Sequence, residues 1–194
     1  MEDSERLRKY LRTYEVLTEE EVEEFSGKVV QKRLKKGEYL FREGKVCREV
    51  VFVLSGVLRS FYYSSSLEEV TYCFSFEGAF ITAYSSFITQ QGTVENIQAL
   101  TDVELFSVSR EVVTELEAKS VNWLRLLKMI AEREYVKMEQ RVFILQRESA
   151  EVRYRSLVEQ HPEYLQLIPL NYLASYLGIT QRHLSRIRST SGSN

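Results

Sequence analysis

Pro169-Leu-Asn-Tyr-Leu-Ala-Ser-Tyr-Leu-Gly-Ile-Thr-Gln-Arg-His-Leu-Ser-Arg-Ile-Arg188 is the stretch on which the reading of this chain turns. At a helical period it carries one apolar stripe, Leu170, Leu173, Ala174 and Leu177, then breaks at Gly178. A second stripe follows through Ile179, Leu184 and Ile187. Pro169 suits a first helical position, where its missing N–H costs nothing. Gly178 supplies the left-handed residue that ends a helix, and the Thr180 hydroxyl can cap the next one. Ala174 is small where two helices would cross closely. Two short helices about a glycine turn make a helix-turn-helix. The second helix leaves Gln181, Arg182, Ser185 and Arg186 opposite its stripe, with Arg188 further on. Such side chains bond base edges and phosphates in the major groove, and Thr180 stands at the same end. The plainer reading is a helical hairpin with a solvated outer face. Charge favours DNA: Leu165 to Arg188 holds three arginines and no acidic residue, in a chain of formal net charge −2. A local basic face on a mildly acidic protein is the footprint of a nucleic-acid surface.

Upstream, no proline or glycine interrupts residues 93–161. Within that span Leu124, Ala131, Met138 and Leu145 recur every seven residues, with Leu127, Tyr135 and Val142 between them. A helix of roughly 25 residues is about 37 Å long, more than a small β domain needs. Pairing with a twin helix across a two-fold axis explains such a seam better than packing on its own domain. A short helix over 110–118 precedes it, and Ala150–Gln160 forms another after it.

Between Gly27 and Arg110 the pattern is β. Val70, Tyr72, Phe74 and Phe76 alternate with Thr71, Cys73 and Ser75, the two-residue period of a half-buried strand. Val50–Leu54, Val57–Tyr63, Val94–Leu100 and Val103–Val108 are further strands, and glycines punctuate them. Seven or eight such strands make a sandwich, barrel or jelly roll. Residues 1–26 are helical and charged, and Thr18-Glu-Glu-Glu21 has the form of a capping box.

The 194 residues are enough to bury a core. The N-terminus lacks the apolar run of a signal peptide, and no stretch is long enough to span a bilayer. Cys47 and Cys73, without partner spacing, fit a reducing cytoplasm rather than a disulfide scaffold or a metal site. No membrane contact and no metal are expected.

A glycine-punctuated β-roll, a long helix and a helix-turn-helix, in that order, resemble the cyclic-AMP receptor protein / fumarate-nitrate regulator (Crp/Fnr) family of transcription regulators. Gly37-Glu-Tyr-Leu-Phe-Arg-Glu-Gly44 followed by Val51-Phe-Val-Leu-Ser-Gly-Val57 is similar to the family's first glycine pattern, with one extra residue before Phe41. Phe76-Glu-Gly-Ala-Phe-Ile81 is similar to the entry to its phosphate-binding cassette. The resemblance implies an α+β fold. Residues 1–118 would be N-terminal helices and a jelly-roll-like β-roll sensor. Residues 119–147 would be the dimerisation helix and hinge, and 148–194 a short helix-turn-helix domain without a clear wing. It implies a homodimer on duplex DNA with half-sites about one helical turn apart. It also leaves room for RNA polymerase as a partner.

The cassette departs from the family pattern. Thr82-Ala83 stand where nucleotide binders carry Gly-Glu, and Thr93-Val94 where they carry Arg-Ser. From Ser60 to Ser109 there is no Lys or Arg, against six acidic residues. A buried phosphate without a cation costs several kcal/mol, on the order of a lost ion pair. The alternative source of charge is a cation reaching in from the long helix, such as Arg125 or Lys128. Cyclic AMP is therefore not the expected effector. Thr82, Ala83, Tyr84, Ser85, Thr93 and Val94 remain the candidate pocket for an uncharged one, and no cofactor is expected. A haem ligand would fall to Cys73 alone, better read as a small hydrophobe. Residues 28–110 contain no histidine, which removes the usual metal ligands of a cupin-like enzyme on the same roll. No enzymatic activity is expected. The competing reading is a regulatory module whose C-terminal helices bind protein instead of DNA.

Overall fold

The computed structural model describes residues 2–191, and the chain divides into two compact units. The first comprises Met1–Ser60 with Phe74–Glu132, and the second Phe61–Cys73 with Arg133–Asn194. The first opens with α1 (Glu2–Arg12) and α2 (Glu19–Lys28). The capping box is present: the Glu21 N–H donates to the Thr18 hydroxyl, and the Thr18 N–H donates to the Glu21 carboxylate at 2.8 Å. Eight strands follow: β1 (Val30–Leu34), β2 (Tyr39–Phe41), β3 (Glu49–Ser55), β4 (Leu58–Tyr63), β5 (Glu69–Ser75), β6 (Phe80–Ile81), β7 (Asn96–Ala99) and β8 (Val103–Ser109). The short helix α3 (Tyr84–Thr89) lies between β6 and β7.

The strands form two four-stranded sheets, ordered β1-β8-β3-β6 and β2-β7-β4-β5. Val51, Val53, Val103 and Leu105 of the first sheet meet Leu58, Ile97 and Ala99 of the second in a dry core between them. Gly56 makes the β3–β4 turn possible: its φ is +91°, and a Cβ there would sit 2.3 Å from the Asp102 carbonyl oxygen. A second core lies under the helices, where Leu7, Leu11 and Phe25 join Phe52, Phe87 and Phe106. Helix α4 (Arg110–Lys119), capped by Ser109, supplies Val113 and Leu116 to that core.

Helix α5 (Val121–Arg147) has 27 residues. Trp123 and Leu126 are buried in the second core, and Leu127 and Ile130 pack against it. Leu127 thus serves its own unit rather than the outer seam assigned to it from spacing. In the second unit, α6 (Ala150–Gln160), α7 (Tyr164–Leu167), α8 (Leu170–Tyr176) and α9 (Gln181–Ser191) follow. Pro169 is the N-cap of α8, one position earlier than expected. Ser189–Ser191 continue α9 instead of starting a polar tail. Residues 192–194, the rest of that expected tail, lie outside the described residues.

Candidate nucleic-acid interface

Helices α8 and α9 form a helix-turn-helix head. Leu173, Ala174, Leu177, Leu184 and Ile187 are all buried between the helices of the second unit, Leu184 completely. Burying one leucine side chain stabilises by about 2 kcal/mol, so this pair is held by its stripe and not by propensity. Gly178, at φ +68°, makes the turn. The Ile179 N–H reaches back to the Ala174 carbonyl at 3.0 Å, closing the end of α8. The Thr180 hydroxyl accepts from the His183 N–H at 3.2 Å and so starts α9.

Two arginines complete the head, and spacing did not reveal them. The Arg141 guanidinium donates to the Tyr176 carbonyl at 2.8 Å and lies over that tyrosine ring, 3.9 Å from its centroid. Arg153 donates to the Leu177 carbonyl at 3.0 Å. Both satisfy carbonyls that the end of α8 leaves open, where a cation also complements the helix dipole. Their signal in the sequence was only a charge on α5 and on α6. On the outer side, Thr180, Gln181, Arg182, Ser185, Arg186 and Arg188 are all exposed. The structure therefore brings the candidate DNA contacts onto one open helix and Thr180, the residue that precedes it. His183 instead turns towards Glu151 of α6, 3.7 Å away.

The strand β5 shows the clearest departure from its pattern. Alternation assigned Thr71 to a solvated face, yet Thr71 is only 1% exposed. The Thr71 N–H donates to the Ser175 hydroxyl at 2.8 Å, and that hydroxyl donates to the Glu69 carbonyl at 3.1 Å. The end of the β4–β5 hairpin is thus part of the second unit, bonded to α8.

On α5 the outer seam is open. Leu124, Tyr135, Met138, Val142 and Leu145 are exposed, Tyr135 by 68%, and Ala131 is partly so. Val136, Phe143 and Ile144 widen the apolar surface. A row of large apolar side chains on one helix is the kind of surface that a partner covers.

The six candidate effector residues differ in burial and in bonding. The Thr82 hydroxyl donates to the Glu49 carbonyl at 2.9 Å and lies 3.1 Å from the Cys47 sulfur. Ala83 is fully buried, while Tyr84, Ser85 and Val94 are exposed. Thr93 is buried; its N–H donates to the Lys45 carbonyl, and its hydroxyl accepts from the Glu95 N–H. Two clefts do open on the first unit, of about 680 and 400 Å³, and none of the six lines either one.

Residues 31–120 match the protein-family profile "Cyclic nucleotide-binding domain". Among solved structures, FixK2 from Bradyrhizobium japonicum superposes with a TM-score of 0.73 at 19% identity, over 84% of this chain and 83% of that one. The c-di-GMP-responsive regulator CLP of Xanthomonas campestris gives 0.72 at 18% identity, over 91% and 92%. A Crp/Fnr-family transcriptional regulator from Eubacterium rectale gives 0.69 at 16% identity, over 92% and 85%. The chain carries a cyclic nucleotide-binding domain in the Crp/Fnr fold. No curated protein sequence matches it.

Within this Crp/Fnr fold one cation stands directly before the acidic span. Arg59 of β4 is fully buried. Its neighbour Leu58 packs into the core between the sheets, so strand alternation turns Arg59 to the opposite face.

Burial pushes the Glu95 carboxyl from its ordinary 4.5 up to about 7. Such a group holds its proton more tightly in the folded state than in the unfolded one. Its contribution to stability is therefore greatest below 4.5 and is lost as the pH rises through 7. Thermal unfolding should show stability falling by up to about 3 kcal/mol across that window. Glu95→Gln should flatten the slope; an unchanged slope contradicts the assignment.

Proposed function

We propose that the chain is a homodimeric, DNA-binding transcription regulator of the Crp/Fnr type, whose input is not a cyclic nucleotide. One observation carries this reading: a packed helix-turn-helix whose outer face presents Gln181, Arg182, Ser185 and Arg186 together. Arg182 and Arg186, one turn apart, suit bidentate contacts to guanine edges, and Arg188 suits a phosphate. The family's usual first contact is an arginine and here is Gln181; its glutamate is Arg182. The operator therefore differs from those of members that keep the usual residues. Selection of bound sequences from random duplex DNA tests this directly, with a two-fold-related site as the expected product.

The open seam of α5 supports the twin. Two copies would bury Met138, Val142 and Leu145 against each other and set two heads side by side. RNA polymerase is the natural further partner of a regulator so placed. The roll serves regulation and not catalysis, and two free thiols, Cys47 and Cys73, agree with work in the cytoplasm. Among the described residues no helix is long and apolar enough to cross a membrane.

The cassette positions support a non-nucleotide input. Thr82 is spent on a backbone carbonyl, Val94 points to solvent, and no Lys or Arg lies between Ser60 and Ser109. Calorimetry with cyclic AMP or cyclic GMP at about 1 mM should register no binding, whereas a Kd in the micromolar range, worth about 8 kcal/mol, would overturn this.

A further inference from the structure

We infer that Ser175 is a positioning residue for the DNA-reading head, fastening α8 to the outer edge of the β4–β5 hairpin. The inference rests on the DNA-binding reading above. Strand β5 is the outer strand of its sheet. In an edge strand, the carbonyl of one residue and the N–H two residues on point the same way, and normally meet a partner strand or water. Here the Glu69 carbonyl and the Thr71 N–H both meet one hydroxyl. A serine hydroxyl is one donor and also an acceptor, so Ser175 supplies both halves of the missing strand bond. No aliphatic side chain and no cation can do so.

The site is built, not incidental. Thr71 is almost wholly buried, so its amide has no water to turn to if the hydroxyl is removed. Ser175 lies in the last turn of α8, beside the two carbonyls held by Arg141 and Arg153. The head is therefore pinned at one end by three side chains, and of these three Ser175 is the one that bonds the hairpin. Its opposite end, with Arg182 and Arg186, stays open. Ser175 thus ties the orientation of the reading helix to the position of the strand.

Hydrogen exchange on the full-length chain, free and bound to a selected operator, tests the inference with Ser175→Ala and Ser175→Thr. In Ser175→Ala the Thr71 amide should exchange about tenfold faster, the factor expected for one lost net hydrogen bond. Amides of β3 and β8 should not change. Operator affinity should fall about three- to tenfold, because a loosened head must be ordered on binding. Ser175→Thr, which keeps the hydroxyl, should restore both readouts. Unchanged Thr71 exchange in Ser175→Ala overturns the inference, and so does equal acceleration throughout the chain. Faster exchange with unaltered operator affinity removes the positioning role. If the wild-type chain binds no duplex, the DNA reading fails and positioning with it, while the Thr71 exchange still reports whether the hydroxyl bond exists.

Discussion

Replacing Arg182 and Arg186 together by alanine should lower affinity for a selected duplex about 100-fold, without unfolding the chain. Each arginine that pairs with a guanine edge is worth about 1–3 kcal/mol of discrimination, and a dimer carries each twice. Stability should hold because both side chains are exposed and make no described ion pair, while the head is packed by Leu173, Leu184 and Ile187 on the other side. Circular dichroism on the variant keeps the two effects apart. Loss of Arg186 alone should relax preference at one base position, and loss of Arg188 should weaken all sequences alike. An unaltered affinity in the double variant would place the DNA surface elsewhere, or nowhere.

The second large effect is on assembly. Met138→Glu with Val142→Glu should convert a dimer into monomers, raising the dissociation constant at least about 100-fold. Two apolar side chains per copy are exchanged for carboxylates that would face their own twins across the two-fold axis, and burying unpaired charge costs several kcal/mol, roughly 3–5. The fold of each unit should survive, since both positions are exposed in the single chain. Sedimentation measures the change. A wild-type chain that is monomeric at micromolar concentration contradicts the role given to α5. DNA affinity should fall with the dimer, because each half-site is then held alone.

Much of the architecture was legible because it is periodic and local. The seven-residue recurrence on α5, the capping box at Thr18 and the glycine at 178 each report on neighbours within one or two helical turns. The face of β5 was not legible. Its alternation, Thr71 against Tyr72, describes a strand wetted on one side, and the residue that dries it lies 104 positions away. Arg141 and Arg153 escaped notice for the same reason: a cation on a helix looks solvated until the carbonyl it meets is placed. Leu127 shows the limit of a seam drawn from spacing alone. One helix can face its own core and a partner at once, and a period does not say where one stripe gives way to the other. The candidate effector residues were drawn from a resemblance in order along the chain. Thr82 and Thr93 bond the backbone of the distant 45–49 segment, while Tyr84 and Val94 face outward, which order along the chain does not show.

The most direct test is the salt dependence of duplex binding by the wild-type chain, using a duplex recovered by selection. A dimer with one basic helix per half-site and about four phosphate contacts each should lose affinity as log salt rises, with a slope near about −7. It should also favour its own site over unrelated sequence by at least about 1000-fold. Absence of binding at about 50 mM salt, or a slope near zero, contradicts the assignment of the helix-turn-helix to DNA.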